Sequence, residues 1–452
     1  MTLSSIFRLL AGVVLFIFLA RFLGPEEFGR LMYGFTVATI AVLVIEFGFS
    51  QQLLRDIGKE PDQVLLIMGR VFLAKILLTL LVVGSGLLAF FMFPDLVKDQ
   101  KIFWLLFVSC SLASFADYFN VAFRGIGRFH EETRVALVSS LFHVGFLWSL
   151  AFLGSDLTTL AQGFAGSRTL NLAISWIAYQ RIIGGLKFGG QPFKTAIGTL
   201  KRGFPYAADT GFTNFFSQVD ILIVNHYLGT ASVGLYQAGM RFLQGASQFA
   251  PVLGNVYLPA IAGCNNKPEQ LQRLSRKFNS QMILMGAAGW AIFAFGGEWI
   301  TRLIYGEKYL GLNPLWPYIG LLLFLRYVAA SQGVLLTANG SQSIRVWAQI
   351  AGLAVLLSVA PWLINEYGLS GMLVTLQLTF VTLFLIYCLT LSFKKLPSGF
   401  SASRLLASTG VLVVAVILLL PPDLQNMASV VLSKAQQFSL SHLPLSNNSV
   451  KE

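Results

Sequence analysis

Long apolar runs separated by short polar breaks fill most of the chain. Stretches able to cross a bilayer as helices, about 17–25 residues each, lie near 3–20, 31–50, 71–93, 102–123, 135–153, 158–180, 204–225, 234–262, 280–301, 314–336, 344–364, 369–392 and 405–421. This pattern predicts an all-α, polytopic bundle of 12 core helices followed by one or two C-terminal helices. After Pro421-Pro422, the stretch from Leu424 to Leu440 is broken by Lys434 and glutamines. It reads as a segment on the membrane surface or a fourteenth helix. The first run lacks a small-residue cleavage pattern after Ala20 and feeds straight into a turn, so it reads as a helix and not a signal peptide.

That turn occurs twice. Phe22-Leu23-Gly24, Phe28-Gly29 and Gly34 line up with Tyr227-Leu228-Gly229, Val233-Gly234 and Gly239 at a constant offset of 205. A fainter echo places Arg124-Gly125-Ile126-Gly127 and Arg134-Val135 against Ala338-Asn339-Gly340 and Arg345-Val346, at an offset of 211 to 213. Matched copies in one register indicate an internal repeat. Six spans per copy give both halves the same orientation, hence a parallel pseudo-two-fold repeat. The predicted organisation is an N-terminal lobe at 1–183, a basic linker at 184–203, a C-terminal lobe at 204–393, and an additional helix and tail at 394–452. The linker is marked by Gly184-Gly185 and Gly189-Gly190.

Composition agrees with a membrane solvent. Hydrophobic residues make up 55% and charged residues 12%, and the mean hydropathy is +0.70, too little polar surface for a soluble globule of this length. The net charge of +12 is scattered over short loops and not gathered on one face, which excludes nucleic acid as a partner and fits the positive-inside rule. With the N-terminus inside, cytoplasmic loops carry Arg55, Lys59, Arg124, Arg128, Arg134, Arg181 through Arg202, Lys267 through Lys277, Arg345, Lys394, Lys395 and Arg404. Opposite loops carry only Arg21, Arg30, Lys98, Lys101, Arg302 and Lys308. Cys110, Cys264 and Cys388 suggest neither a disulfide framework nor a metal cluster, and no cofactor is expected.

Three blocks carry a family resemblance: Ala20-Arg21-Phe22-Leu23-Gly24-Pro25-Glu26-Glu27-Phe28-Gly29; Phe47-Gly48-Phe49 with Arg55; and Gln218-x-Asp220 followed by Leu228-Gly229, Val233-Gly234 and Tyr236-x-Ala238. They resemble the polysaccharide-exporter family of lipid-linked oligosaccharide flippases, the O-antigen translocase type, within the multidrug, oligosaccharidyl-lipid and polysaccharide exporter superfamily. The resemblance implies a V of two six-helix lobes around a cavity that opens to either side in turn. It also implies a non-enzymatic flippase in the bacterial inner membrane, moving an undecaprenyl-diphosphate-linked oligosaccharide from the cytoplasmic to the outer leaflet. Its partners would be that substrate, membrane lipids and other polysaccharide-assembly proteins, and it would act as a monomer. A multidrug exporter of the same superfamily is one alternative. A membrane polymerase or ligase is another, although the expected outer loops are short.

Charges inside apolar spans are the candidate chemistry, because a charge in hydrocarbon costs about 2.5–3.5 kcal/mol on insertion scales. Arg168 and Arg326 lie mid-span, and arginine's fork of donors suits phosphate oxygens. They are expected to line a substrate cavity, the alternative being arginines bonded to backbone carbonyls or carboxylates. Arg8 and Lys75 join them nearer the cytoplasmic ends, where their chains could also snorkel to the interface. Asp220 and Arg241 sit at similar depth on adjacent helices and are expected to form an ion pair, either a state-dependent latch or a fixed bridge. Glu46, Asp117 and Asp209 could bind a coupling ion. Pro251 and Pro259 should bend the eighth span. No P-loop, G-x-S-x-G, H-E-x-x-H or paired-cysteine spacing appears, and His143 stands alone on an apolar helix, as bonded core histidines do.

Overall fold

The computed structural model describes residues 2–92, 99–188, 192–264 and 268–394, with side chains for all of these except 2–10, 192, 193, 209 and 342. Among the described residues the regular structure is entirely helical. The helices are α1 Thr2–Glu46, α2 Phe49–Lys59, α3 Val64–Met92, α4 Gln100–Gly125, α5 Phe129–Phe152, α6 Leu157–Ile182, α7 Pro192–Phe216, α8 Val219–Ser247, α9 Phe249–Ala262, α10 Pro268–Ile300, α11 Trp316–Ala338 and α12 Gln342–Phe393.

Among the described residues, seven helical stretches are long and apolar enough to cross a membrane. The first and last exceed one crossing: 49 and 51 residues at ~1.5 Å per residue are about 75 Å, against a hydrocarbon core of ~30 Å. Single glycines divide them. Gly24 (φ 80°, ψ 172°) interrupts α1, and Gly368 (φ 57°, ψ −133°) interrupts α12. Gly229 (φ 78°, ψ −180°) breaks α8 in the same way as Gly24. The repeated turn is thus a one-residue kink and not a loop, because a glycine in the positive-φ region redirects the chain without freeing several backbone groups.

The repeat is visible as contact. A Cβ on Gly29 would overlap the carbonyl of Thr230, and a Cβ on Gly234 would overlap the carbonyl of Pro25. Pro25 and Thr230 are themselves counterparts at the offset of 205, so the α1–α8 crossing is reciprocal, as a local two-fold requires. The fainter echo is a duplicated helix cap. After α4, Arg128 N–H donates to Phe123 O (2.8 Å) and Gly127 N–H to Arg124 O (3.1 Å). After α11, Ser341 N–H donates to Leu336 O (2.9 Å) and Gly340 N–H to Thr337 O (3.1 Å). Both are Schellman patterns.

The described residues gather into two compact units, one of 2–251 with 291–319, the other of 252–290 with 320–394. In the first, Phe49, Leu53 and Ile57 of α2 pack on Met68 and Val71 of α3, Tyr118, Phe119 and Phe123 of α4 and Tyr179 of α6. The kinked helices are also tied to the segment between α10 and α11. Arg21 donates to Leu303 O (3.1 Å), Tyr309 to Ala20 O (2.8 Å) and Tyr305 to Ala238 O (2.9 Å). In the second unit, Leu321, Leu325 and Val328 of α11 pack on Val381, Phe384 and Cys388 of α12. Large apolar side chains remain outside, such as Phe91 (85% exposed) and Phe295 (90%), as a surface solvated by lipid requires and one solvated by water would not tolerate.

Two expectations change, and a third falls outside the described residues. The linker at 184–203 is helical from Pro192, since proline suits the first helical position and α7 buries Ala196 and Thr199. The eighth span is cut after Ser247 into α8 and α9, with Pro251 in the first turn of α9 and Pro259 inside it. The helix at 405–421, the segment 424–440 and most of 394–452 lie outside the described residues.

Candidate functional site

A cavity of about 440 Å³ opens among α1, α4, α5 and α6, all within the first unit. Its polar lining comes from Asp117 and Asn120 of α4, Ser139 and His143 of α5, and Arg168 and Asn171 of α6; Phe16 and Phe35 of α1 and Phe164 of α6 supply apolar walls. Each helix contributes residues three or four apart, the spacing that stacks side chains on one face. The set of apolar stretches that could cross a membrane omits α6. Ser167, Arg168, Asn171 and Ser175 dilute its hydropathy where it turns inward.

Arg168 dominates the electrostatics. Among the described residues its guanidinium makes no hydrogen bond and no ion pair; the nearest opposing charge is Asp117. Two neighbours also hold unused capacity, because the Asn120 amide oxygen and the Ser139 hydroxyl are buried without partners. His143 is occupied: its Nδ1 shares a 2.7 Å hydrogen bond with Ser167 Oγ, and its ring meets Phe164 edge-on at 5.4 Å. Phe164 in turn packs against Phe35 at 4.8 Å. Unspent donors, free acceptors and flat aromatic faces suit a ligand that carries both anionic oxygens and sugar-like C–H faces.

Asp117 also borders a second, smaller cavity with Glu46, Lys75 and Ser114. Lys75 does not snorkel. It is 2% exposed, donates to Ser114 Oγ at 2.7 Å and lies 5.0 Å from the Phe115 ring centroid, with Glu46 and Asp117 as its nearest opposing charges. The structure therefore joins Arg168, Asp117, Lys75 and Glu46 into one charged patch.

The other candidates are dispersed. Arg326 lies in the second unit over the Phe380 ring, 5.0 Å from its centroid. The expected Asp220–Arg241 ion pair is not formed. Asp220 accepts from Tyr236 Oη (2.5 Å) and from Ile221 N (2.9 Å). Arg241 donates to Gln244 Oε1 (3.1 Å) and to Met32 Sδ (3.3 Å) and stacks on Phe16 at 4.1 Å. The reason is helical phase: Arg241 follows Tyr236 by five residues, about 140° around the helix, so the two cannot face the same partner. The Arg8 and Asp209 side chains lie outside the described residues.

Sequence reasoning passed over Asn120, Asn171 and Ser139, and read His143 only as a bonded core residue. A signal for them existed, since Asn120 and Asn171 each follow a selected charge by three residues and Ser139 precedes His143 by four.

With this geometry in place, similarity to known proteins can be read. The family model described as polysaccharide biosynthesis protein matches residues 1–264, the segment that contains every residue of the cavity. The amylovoran biosynthesis protein AmsL of Erwinia amylovora is 26% identical over 168 residues, covering 37% of this chain and 43% of that protein. Among solved structures, the lipid II flippase MurJ in an inward closed conformation superposes with a TM-score of 0.69 at 13% identity, covering 96% of this chain and 99% of that one. An inward-facing multidrug resistance transporter of the MATE family superposes at 0.60 with 14% identity, over 86% and 95%. These likenesses give the fold of a multi-pass membrane transporter, and the matched segment exceeds half the chain: this protein belongs to the polysaccharide biosynthesis protein family.

Proposed function

We propose that this protein is a flippase that moves an undecaprenyl-diphosphate-linked oligosaccharide from the cytoplasmic to the outer leaflet by alternating access. The observation that carries the reading is Arg168, an arginine at mid-span whose guanidinium makes no hydrogen bond among the described residues, beside the unpartnered Asn120 amide oxygen and Ser139 hydroxyl. A diphosphate supplies the acceptors that Arg168 lacks, and the phenylalanines and amides suit the attached sugar. In this reading the chain comprises two six-helix repeats, 1–183 and 204–393, in a bacterial inner membrane with the N-terminus in the cytoplasm. It works as a monomer that exchanges substrate with other polysaccharide-assembly proteins.

The carboxylates Glu46 and Asp117 beside Lys75 favour a second reading, a multidrug exporter of the same superfamily that takes cations. Deletion separates the two. A flippase mutant accumulates the lipid-linked repeat unit on the inner leaflet; an exporter mutant leaves its distribution unchanged and becomes drug-sensitive. Unpolymerised product outside the membrane would instead point to a polymerase.

A further inference from the structure

A further pocket, of about 350 Å³, lies in the first unit where α2, the start of α3 and α7 converge, and shares no lining residue with the larger cavity. Four basic side chains line it: Arg55 and Lys59 of α2, Arg70 of α3 and Arg202 of α7. Asp56 and Glu60 share the lining, so the pocket keeps a surplus of two positive charges. Among the described residues none of the four cations stands within 4 Å of a carboxylate. Four like charges that outnumber the two carboxylates beside them and make no close ion pair repel each other, and an entering anion relieves that repulsion.

The pocket is built, and not a chance meeting of surface side chains. Arg55 is held by a 2.8 Å hydrogen bond to Tyr206 Oη. Arg202 spends only its Nε, on Gly198 O at 3.3 Å, which leaves its terminal nitrogens free. Gln52 is 2% exposed, lines the pocket, and its amide oxygen has no partner. The frame is fixed from below, since Phe49, Leu53 and Ile57 on the opposite side of α2 are anchored in the apolar core, and the turn before α2 brings Gly48 against the backbone of Tyr206.

We infer that this pocket is a docking site for a lipid-borne phosphate headgroup, and that its occupant is the glycosyl diphosphate of the substrate at the start of its path. Guanidinium forks match phosphate oxygens. Asp56, Glu60 and the Gln52 oxygen are acceptors, which a sugar's hydroxyls satisfy and a bare phosphate does not. The volume lies within the range of small-molecule sites, about 300–1,000 Å³. The phosphate assignment stands on these residues alone; the identity of the occupant rests on the flippase reading, which also places this end of the helices on the cytoplasmic side.

The test uses the full chain in phosphatidylcholine nanodiscs, with Arg168→Ala present throughout so that the deep cavity contributes no phosphate binding. Thermal unfolding is followed during titration with inorganic diphosphate, undecaprenyl diphosphate or phosphatidylglycerol. Inorganic diphosphate and undecaprenyl diphosphate should both stabilise the protein, and Arg55→Gln with Arg70→Gln should weaken each by at least about tenfold, the loss of charge-assisted hydrogen bonds. Lys59→Gln with Arg202→Gln, at exposed positions that leave the core intact, should act in the same direction. Asp56→Asn with Glu60→Gln should tighten inorganic diphosphate. Affinities unchanged in all three double variants would overturn the site. Phosphatidylglycerol binding as tightly as undecaprenyl diphosphate would make it a bulk-lipid site and overturn the substrate assignment. Failure of the flippase reading is seen separately, as diphosphate binding in a protein whose deletion causes no inner-leaflet accumulation.

Discussion

The α4–α6 crossing of the first unit and the α11–α12 crossing of the second occupy matching places in the repeat and carry opposite chemistry. At the offset of 213 that the duplicated caps fix for α4 and α11, Arg326 stands where Ala113 does. In the first crossing the cation is on the later helix, with Asp117 as its nearest opposing charge, and it lines a cavity. In the second the cation is on the earlier helix and its charge rests on an aromatic face. If the two crossings are repeats, their polar groups differ: the first holds an arginine with no hydrogen bond among the described residues, the second an arginine over an aromatic ring. Two mid-span arginines that look alike in sequence are therefore expected to differ in what they do.

The comparison can be broken most directly at Arg168. Arg168→Ala should lower export of the lipid-linked unit by roughly 10- to 100-fold, the value of hydrogen bonds to a charged group, at unchanged protein level; inner-leaflet accumulation measures it. Arg168→Phe, which puts an apolar ring where the cation stood, should be as inactive. Equal loss in Arg326→Leu would erase the distinction.

The scaffold common to both halves is tested next. Gly29→Ala or Gly234→Ala forces a methyl into facing backbone, and each should cost about 1–3 kcal/mol of stability, read as a lower unfolding temperature in detergent. Similar losses for the two substitutions would support a reciprocal contact. A loss in only one would show that the crossing is not symmetric in energy.

Smaller effects refine the first site. Removing Asp117 and Arg168 together should be non-additive by about 1 kcal/mol, measured as a double-mutant cycle on export, because each group sets the field at the other. Smallest is Arg326→Leu, which gives up a cation–π contact worth about 0.5–1 kcal/mol among its interactions and should appear in thermal stability before it appears in export.

Legibility followed the kind of information each feature needs. Gly24 and Gly229 announced themselves because a positive-φ kink and a close backbone approach restrict the residue type at fixed positions, and a duplicated restriction shows as a duplicated motif. Arg168, Asp117, Lys75 and Glu46 were legible one at a time, since a charge in an apolar run is conspicuous wherever it points. Their convergence was not legible, and neither was the failure of Asp220 to meet Arg241, because both depend on the rotation of each helix about its axis. The basic pocket was harder still. Arg55, Lys59 and Arg202 read in sequence as ordinary positive-inside residues, and Arg70 drew no notice beside a long apolar run.

The sequence by itself determined the solvent, the helical class and the repeat, because lipid demands long apolar segments with internally satisfied backbones and a duplicated register leaves a countable offset. Only the tertiary structure decided which charges share a cavity, which are stacked or bonded elsewhere, and where four cations gather with two carboxylates in one pocket. A change in helix phase of about 100° per residue moves a side chain from interior to lipid without altering the pattern along the chain.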